Sequence, residues 1–455
     1  MIIRPAVSQW LARREVLQGA AALSLASLAG CASGSPARTD EAPLEPAFFY
    51  AYPLFEFART AQERTRAVDG SSGTLNTVAH RAQLQDHTSR QVTAPNNDTI
   101  YSSAFLELSD GPVEVVSPTD TKRYFSIAFM DAFTDNFAYI GTRATKGKGG
   151  RFWVVGPQWS GAVPTGVTII RSSTNDVWML ARVLVDGPND LAAAQALQKQ
   201  ITVTVPPGRG APKPFSTRAA NVSDSVNFLA MVNEMLVRSP GGKGQTARAM
   251  RFAAQGIGSA PASQSLISEW GEFIPKGLDT LREAFLFRDL VVDGWSYQER
   301  GVGNFGTNDR LRSAVALGGL AALGEDEAMY FHANFGPDGQ RLNGANSYRW
   351  KVPAGGVPAD AFWSLTMYKT EPDGRFFLVD NPIHRYSIGD RTPGLLVNPD
   401  GGFEVLIQHN RPEGPLAANW LPSPDGPMRL ALRAYLPRKI LQERKWRVPP
   451  LIRTN

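Results

Sequence analysis

The chain has 455 residues, 43% of them hydrophobic and 20% charged, which supplies apolar material for two or three folded domains and is too much for a disordered chain. Its 47 Lys and Arg stand against 42 Asp and Glu, and the resulting net charge of +5 is small and evenly spread, so no nucleic-acid partner is expected. The single cysteine, Cys31, excludes an internal disulfide and a cysteine-based zinc site.

In chain order, the first feature is Arg13-Arg14 followed by a run of small and apolar residues from Gly19 to Gly30. The run is about twelve residues, short of the roughly twenty that span a bilayer, so it reads as a signal and not as a membrane helix. Arg13-Arg14 resembles a twin-arginine export signal, with Val16 where Phe is usual and Ala12 where Ser or Thr is usual. Leu28-Ala29-Gly30-Cys31 resembles the bacterial lipoprotein box. The expectation is that residues 1–30 are removed and Cys31 is lipidated. Residues 31–45 then tether an exported body to the cell envelope, facing the periplasm.

The body opens with helical spacing from Ala47 to Arg66, carried by Tyr50, Leu54, Phe57 and Ala61. Next comes Pro95-Asn96-Asn97-Asp98-Thr99-Ile100-Tyr101, a run of turn-forming residues that passes into an apolar pattern at Ala104-Phe105-Leu106. Strand patterns follow at Ala104–Leu108, Val113–Val116, Tyr124–Phe129, Phe152–Val155, Val167–Arg171 and Val177–Leu184, punctuated by Gly and Pro. Residues 46–204 therefore read as a β-sandwich.

Ala-rich amphipathic segments then take over at Asp190–Gln200, Ser223–Arg238, Gln245–Gln255, Ser263–Phe287 and Asp309–Leu323, with Ser223 as a helix cap and Gly241 as a stop. Residues 205–327 are read as a helical linking region. From 328 to 455 the Asp-Gly turns at 338, 373, 400 and 425 mark a second all-β domain, a jelly roll or a similar sandwich. The fold class is mainly β with a helical middle section.

Several motifs carry little. Gly301-Val302-Gly303-Asn304-Phe305-Gly306 has dinucleotide spacing, but the polar residues Trp295 to Arg300 before it form no apolar strand. Walker loop and nucleophile elbow are both missing. The five histidines, His80, His87, His332, His384 and His409, have no metal-ligand spacing. Neither a metal nor a cofactor is therefore expected, and nothing in the sequence sets an oligomeric state.

What remains are polar-aromatic boxes: the opening run at 95–101, Asp131 to Phe137, Gly156-Pro157-Gln158-Trp159, Phe362 to Tyr368, Asn381 to Tyr386 and Asn419-Trp420-Leu421-Pro422. In a strand, Phe362, Ser364, Thr366 and Tyr368 would share one face and Trp363, Leu365 and Met367 the other. Taken together and in this order, all but the second of these boxes resemble the paired bacterial domain-of-unknown-function families 1254 and 1214, over nearly the whole body. The resemblance implies an N-terminal immunoglobulin-like β-sandwich, a helical segment and a C-terminal jelly-roll domain. It supplies no catalytic set. His384 stands where Asn is usual, and Gln158 where Gly is usual.

On side-chain chemistry, Asp98 is the candidate general base, Tyr101 and Tyr386 are candidate proton donors, and Arg385 is a candidate holder of a carboxylate or oxyanion. Candidate substrate contacts are Asn96, Asn97, Asn136, Arg143, Trp363, Tyr368, Asn381, His384, Asn419 and Trp420. Trp363 reads at least as readily as a core aromatic. The function expected is action on a small organic molecule in a crevice between the two β domains, by cofactor-independent hydrolysis. The alternative is a ligand-binding or envelope lipoprotein without turnover.

Overall fold

A computed structural model describes residues 43–65, 74–90, 93–119, 121–187, 189–258, 261–286, 290–372 and 374–454. The expected leader and Cys31 lie outside them. The helix Leu44–Thr65 is buried almost all round, including Phe48, Tyr52 and Phe55, and so it is a central helix and not a surface one. It packs against helices Ser225–Arg238, Gln264–Phe285 and Asp309–Gly319. Pro53 sits in its middle and cannot donate to the carbonyl of Phe49, four residues back. The Ser313 hydroxyl supplies the missing donor at 2.5 Å, which ties the proline-bearing helix to its neighbour.

Two antiparallel-rich sheets follow. One runs in the order Ala79–Arg81, Thr99–Glu107, Asp176–Leu184, Phe125–Asp131, Asn136–Gly141, and the other Val167–Arg171, Gly150–Val155, Val113–Ser117, Thr202–Thr204. Alternation decides what each face does. Ile100, Leu106, Met179 and Val183 point into the space between the sheets and pack on Val115 and Val154. Tyr101, Ser103, Phe105, Trp178, Leu180 and Arg182 point the other way, Phe105 and Trp178 stacking at 5.1 Å. The polar turn at the start of this sheet is shorter than expected, because the strand begins at Thr99 and takes in Ile100 and Tyr101.

The C-terminal half repeats the arrangement with a seven-stranded sheet on a four-stranded one. Strand Ala359–Thr370 behaves as its alternation predicts. Trp363, Leu365 and Met367 enter the core between the sheets, while Phe362, Ser364, Thr366 and Tyr368 face outward. Neighbouring strand Met428–Pro437 likewise sends Leu430, Leu432 and Ala434 inward and Arg429, Arg433 and Tyr435 outward. The fold is thus mainly β with a helical middle section. Its seams differ from the reading above. The sheet recruits Val291–Val292 and Trp295–Tyr297 from the stretch taken as a linking region. Asp224, not Ser223, caps its helix by accepting from Asn227 N at 3.1 Å, and Gly241 precedes the next helix with φ 70.

Candidate functional site

The run 94–98 is clasped by the outward face of the large C-terminal sheet. Arg433 Nη2 donates to the Ala94 carbonyl at 3.1 Å, and the Tyr368 hydroxyl to that of Pro95 at 2.7 Å. Asn96 Nδ2 donates to the Tyr435 hydroxyl at 2.6 Å. Asp98, only 4% exposed, accepts from Ser364 Oγ at 2.6 Å and from Arg391 Nη2 at 3.0 Å. Ala94, Pro95, Asn96 and Asp98 thus each bond a residue of the second domain.

That geometry corrects several expectations. Both oxygens of Asp98 are engaged in a buried pair and it does not line the cavity described below, so its place is that of a latch and not of a general base. Asn97 Nδ2 bonds the Gln85 carbonyl. Asn136 donates through Nδ2 to the Ala322 carbonyl at 2.7 Å and through its backbone to Gly303 at 2.7 Å. Arg143 pairs with Glu327 at 2.6 Å, and Tyr124 donates to the same carboxylate at 2.8 Å.

The second-domain boxes are also structural. Trp363 stacks on Phe403 at 4.9 Å inside the core. Asn381 holds its own turn through the Val379 carbonyl and both backbone groups of Arg385. Arg385 Nη1 donates to the carbonyls of Ala418 and Trp420, each at 2.8 Å. Asn419 is fully buried between Leu396 and Glu404, and Trp420 Nε1 caps the Gln408 carbonyl. Tyr386 shares a hydrogen bond with His87 at 2.8 Å. His384 is exposed with φ 48, a backbone conformation that suits the Asn usual there.

Tyr101 and Asn96 do reach a cavity. It has a volume of about 910 Å³ and lies where the outward faces of the two large sheets meet the helices. Its apolar lining comes from Phe105, Trp178, Leu180, Val302 and Val315. Donors are interspersed with it, Arg182 and Tyr101 standing on the same sheet face as Phe105, Trp178 and Leu180. Five arginines line the cavity, Arg59, Arg64, Arg81, Arg182 and Arg433, against two glutamates, Glu56 and Glu63, both bonded to Arg59. Arg182 is 6% exposed, lies over the Tyr101 ring at 5.5 Å and donates through Nη2 to the Ala321 carbonyl at 2.9 Å. Its Nη1 has no partner among the described residues.

Tyr330 and His332 add to the polar lining from the facing sheet, both on the outward face of strand Ala328–Ala333. Burial raises the phenol pKa of Tyr330, and that of Tyr435 more strongly, so both stay protonated. Burial, with Arg429 and Arg433 nearby, holds the His332 imidazole well below its usual range and so neutral. Its Nδ1 has no partner among the described residues.

The sequence reading missed Arg64, Arg182, Tyr330, His332, Arg433 and Tyr435. A signal for Arg182, Arg433 and His332 was present: each charged or titratable residue interrupts an apolar strand, as in Asp-Val-Trp-Met-Leu-Ala-Arg182-Val-Leu and Met-Arg-Leu-Ala-Leu-Arg433-Ala-Tyr. A charge inside a buried strand is costly unless something meets it. Among the described residues, no three His, Cys, Asp or Glu side chains gather as a metal site would require, and no helix is long and apolar enough to cross a membrane.

The chain is similar to two sequence families in succession, "Protein of unknown function (DUF1254)" over residues 75–205 and "Protein of unknown function (DUF1214)" over residues 327–439. Curated proteins give no match. Among solved structures, the VPA0106 protein from Vibrio parahaemolyticus is 24% identical and covers 90% of this chain and 98% of its own, with a TM-score of 0.69. A putative uncharacterized protein from Burkholderia cenocepacia is 12% identical over 92% of this chain and 91% of its own, with a TM-score of 0.46.

Proposed function

Because the chain belongs to the two-domain DUF1254–DUF1214 family, whose two domains here each contribute a sheet to one cavity, we propose that the protein takes up a small organic molecule in that cavity. The observation that carries this reading is the cavity itself. About 910 Å³ lies within the size range of ligand pockets, and its lining combines apolar side chains with convergent polar groups. The test fills it. Leu180 belongs to the apolar lining, and Leu180→Trp should abolish ligand uptake in a titration while the protein stays folded.

A second reading, turnover of the ligand by cofactor-independent hydrolysis, is favoured by His332. His332 lines the cavity and its Nδ1 has no partner among the described residues, so the neutral imidazole can accept a hydrogen bond from a water and orient it toward the ligand. On this reading His332→Gln keeps binding and loses turnover of a chromogenic ester. Export and lipid anchoring at Cys31 belong to the same proposal and rest on the residues of the leader alone.

A further inference from the structure

We propose that the ligand of this cavity is an organic carboxylate with an apolar body, its carboxylate received by Arg182 together with the hydroxyls of Tyr330 and Tyr435. The inference rests on the reading of the cavity as a ligand site and names the chemistry of what enters it.

The argument is an inventory of donors. Arg182 can only donate, and of its two terminal nitrogens only Nη2 has a partner, the Ala321 carbonyl. Tyr330 already accepts from Leu323 N at 3.2 Å, and Tyr435 already accepts from Asn96 Nδ2 at 2.6 Å. Each phenol therefore has its own O–H left to give. Tyr330 and Tyr435 share one face of paired strands, with Tyr330 opposite Arg433 and Tyr435 two residues further on. From the facing sheet, Arg182 stands beside Tyr101 in register. Three donors from two domains thus border one cavity.

The glutamates of the lining are bonded to Arg59, and Asp98 is bonded to Arg391 and Ser364, so among the described residues no carboxylate pairs with Arg182. A buried guanidinium without a counter-charge is costly unless a ligand supplies one. Arg182 and Arg433 both line the cavity and neither forms an ion pair with an acid among the described residues, which draws an anion in. Arg433 adds a second fixed charge, held by Thr366 at 2.9 Å and Tyr368 at 2.8 Å without any acid. The rest of the ligand is read from the apolar part of the lining. Phe105, Trp178, Leu180, Val302 and Val315 offer surface to a hydrocarbon or aromatic body. A carboxylate fits the donors better than an inorganic anion, because the apolar part of the lining would go unfilled by the latter.

The experiment uses the full chain and three acids, benzoate, cinnamate and decanoate, each against its primary amide and against inorganic phosphate, by calorimetric titration. At least one acid should bind about tenfold or more tightly than its amide, since the amide lacks the charge that the donors answer. Arg182→Gln should remove that preference. Where Arg182→Gln fails to fold, Tyr330→Phe, which keeps ring and volume, should weaken the acid several-fold and leave the amide unchanged. Amides binding as tightly as acids would overturn the carboxylate assignment and leave the cavity reading standing, as would phosphate binding alone. No binding by any acid or amide would overturn both.

Discussion

Replacing Asp98 with Ala would leave the Arg391 guanidinium without its acid and the Ser364 hydroxyl without its acceptor, both at a buried seam. Breaking such a pair from one side costs about 3 kcal/mol. Asp98→Ala should therefore lower the urea midpoint substantially; an unchanged midpoint would refute the latch. His332 makes a different prediction. Its imidazole is held well below the ordinary range of about 6.5 by burial and by Arg429 and Arg433. Above that range it is neutral folded and unfolded. Below it, the unfolded chain takes up a proton that the native imidazole refuses, so stability should fall as pH drops from about 6.5. His332→Gln cannot take up that proton, and its unfolding midpoint should depend less on pH over this window. Equal slopes for the two proteins would contradict the assignment. At this scale residue type was legible in the sequence, but not partnership. Asp98, Arg385 and Asn419 carry chemistry that enzymes use, and here their partners are Arg391, the Trp420 carbonyl and the Leu396 backbone.

At the scale of elements, the glycine run 301–306 illustrates how spacing misleads and context corrects. The run docks against Asp135 and Asn136, with Phe305 N donating to Asp135 Oδ1 at 2.6 Å. Gly303 has φ 78, and a Cβ there would stand 2.8 Å from Asn136 Nδ2 and 2.9 Å from Gly324 N. Gly303→Ala should cost about 2 kcal/mol, from strained backbone and clash together. Gly306→Ala, with φ 56 and open space, should cost about 1 kcal/mol or less. Equal effects in denaturant titrations would refute the docking account. The alternation in Phe362 to Tyr368 was readable because a strand's period fixes its faces, and the structure assigns them as the pattern requires. The site was harder to read. Its members come from the first helix, four strands and two domains, and the only local sign of them was a charge or imidazole within an apolar strand, as at Arg182, His332 and Arg433.

At the scale of the whole molecule, two sandwiches present their outward sheet faces to a common space, with the helices closing the remainder. Aromatic contacts seal one end of the seam: Phe362 stacks on Tyr435 at 4.1 Å, and Tyr124 meets both rings edge-on. The polar strap at 94–98 runs along the same face, so the residues that mark the family also set the spacing of the cavity walls. That division of labour explains why the boxes were visible and their function was not: they build the container. The measurement that tests this most directly is a calorimetric titration of cinnamate into the native protein and into Leu180→Trp, with both shown to be folded by their unfolding transitions. The account predicts saturable binding at one site in the native protein and none in the variant. Binding of equal strength in both would place the ligand elsewhere and contradict the account.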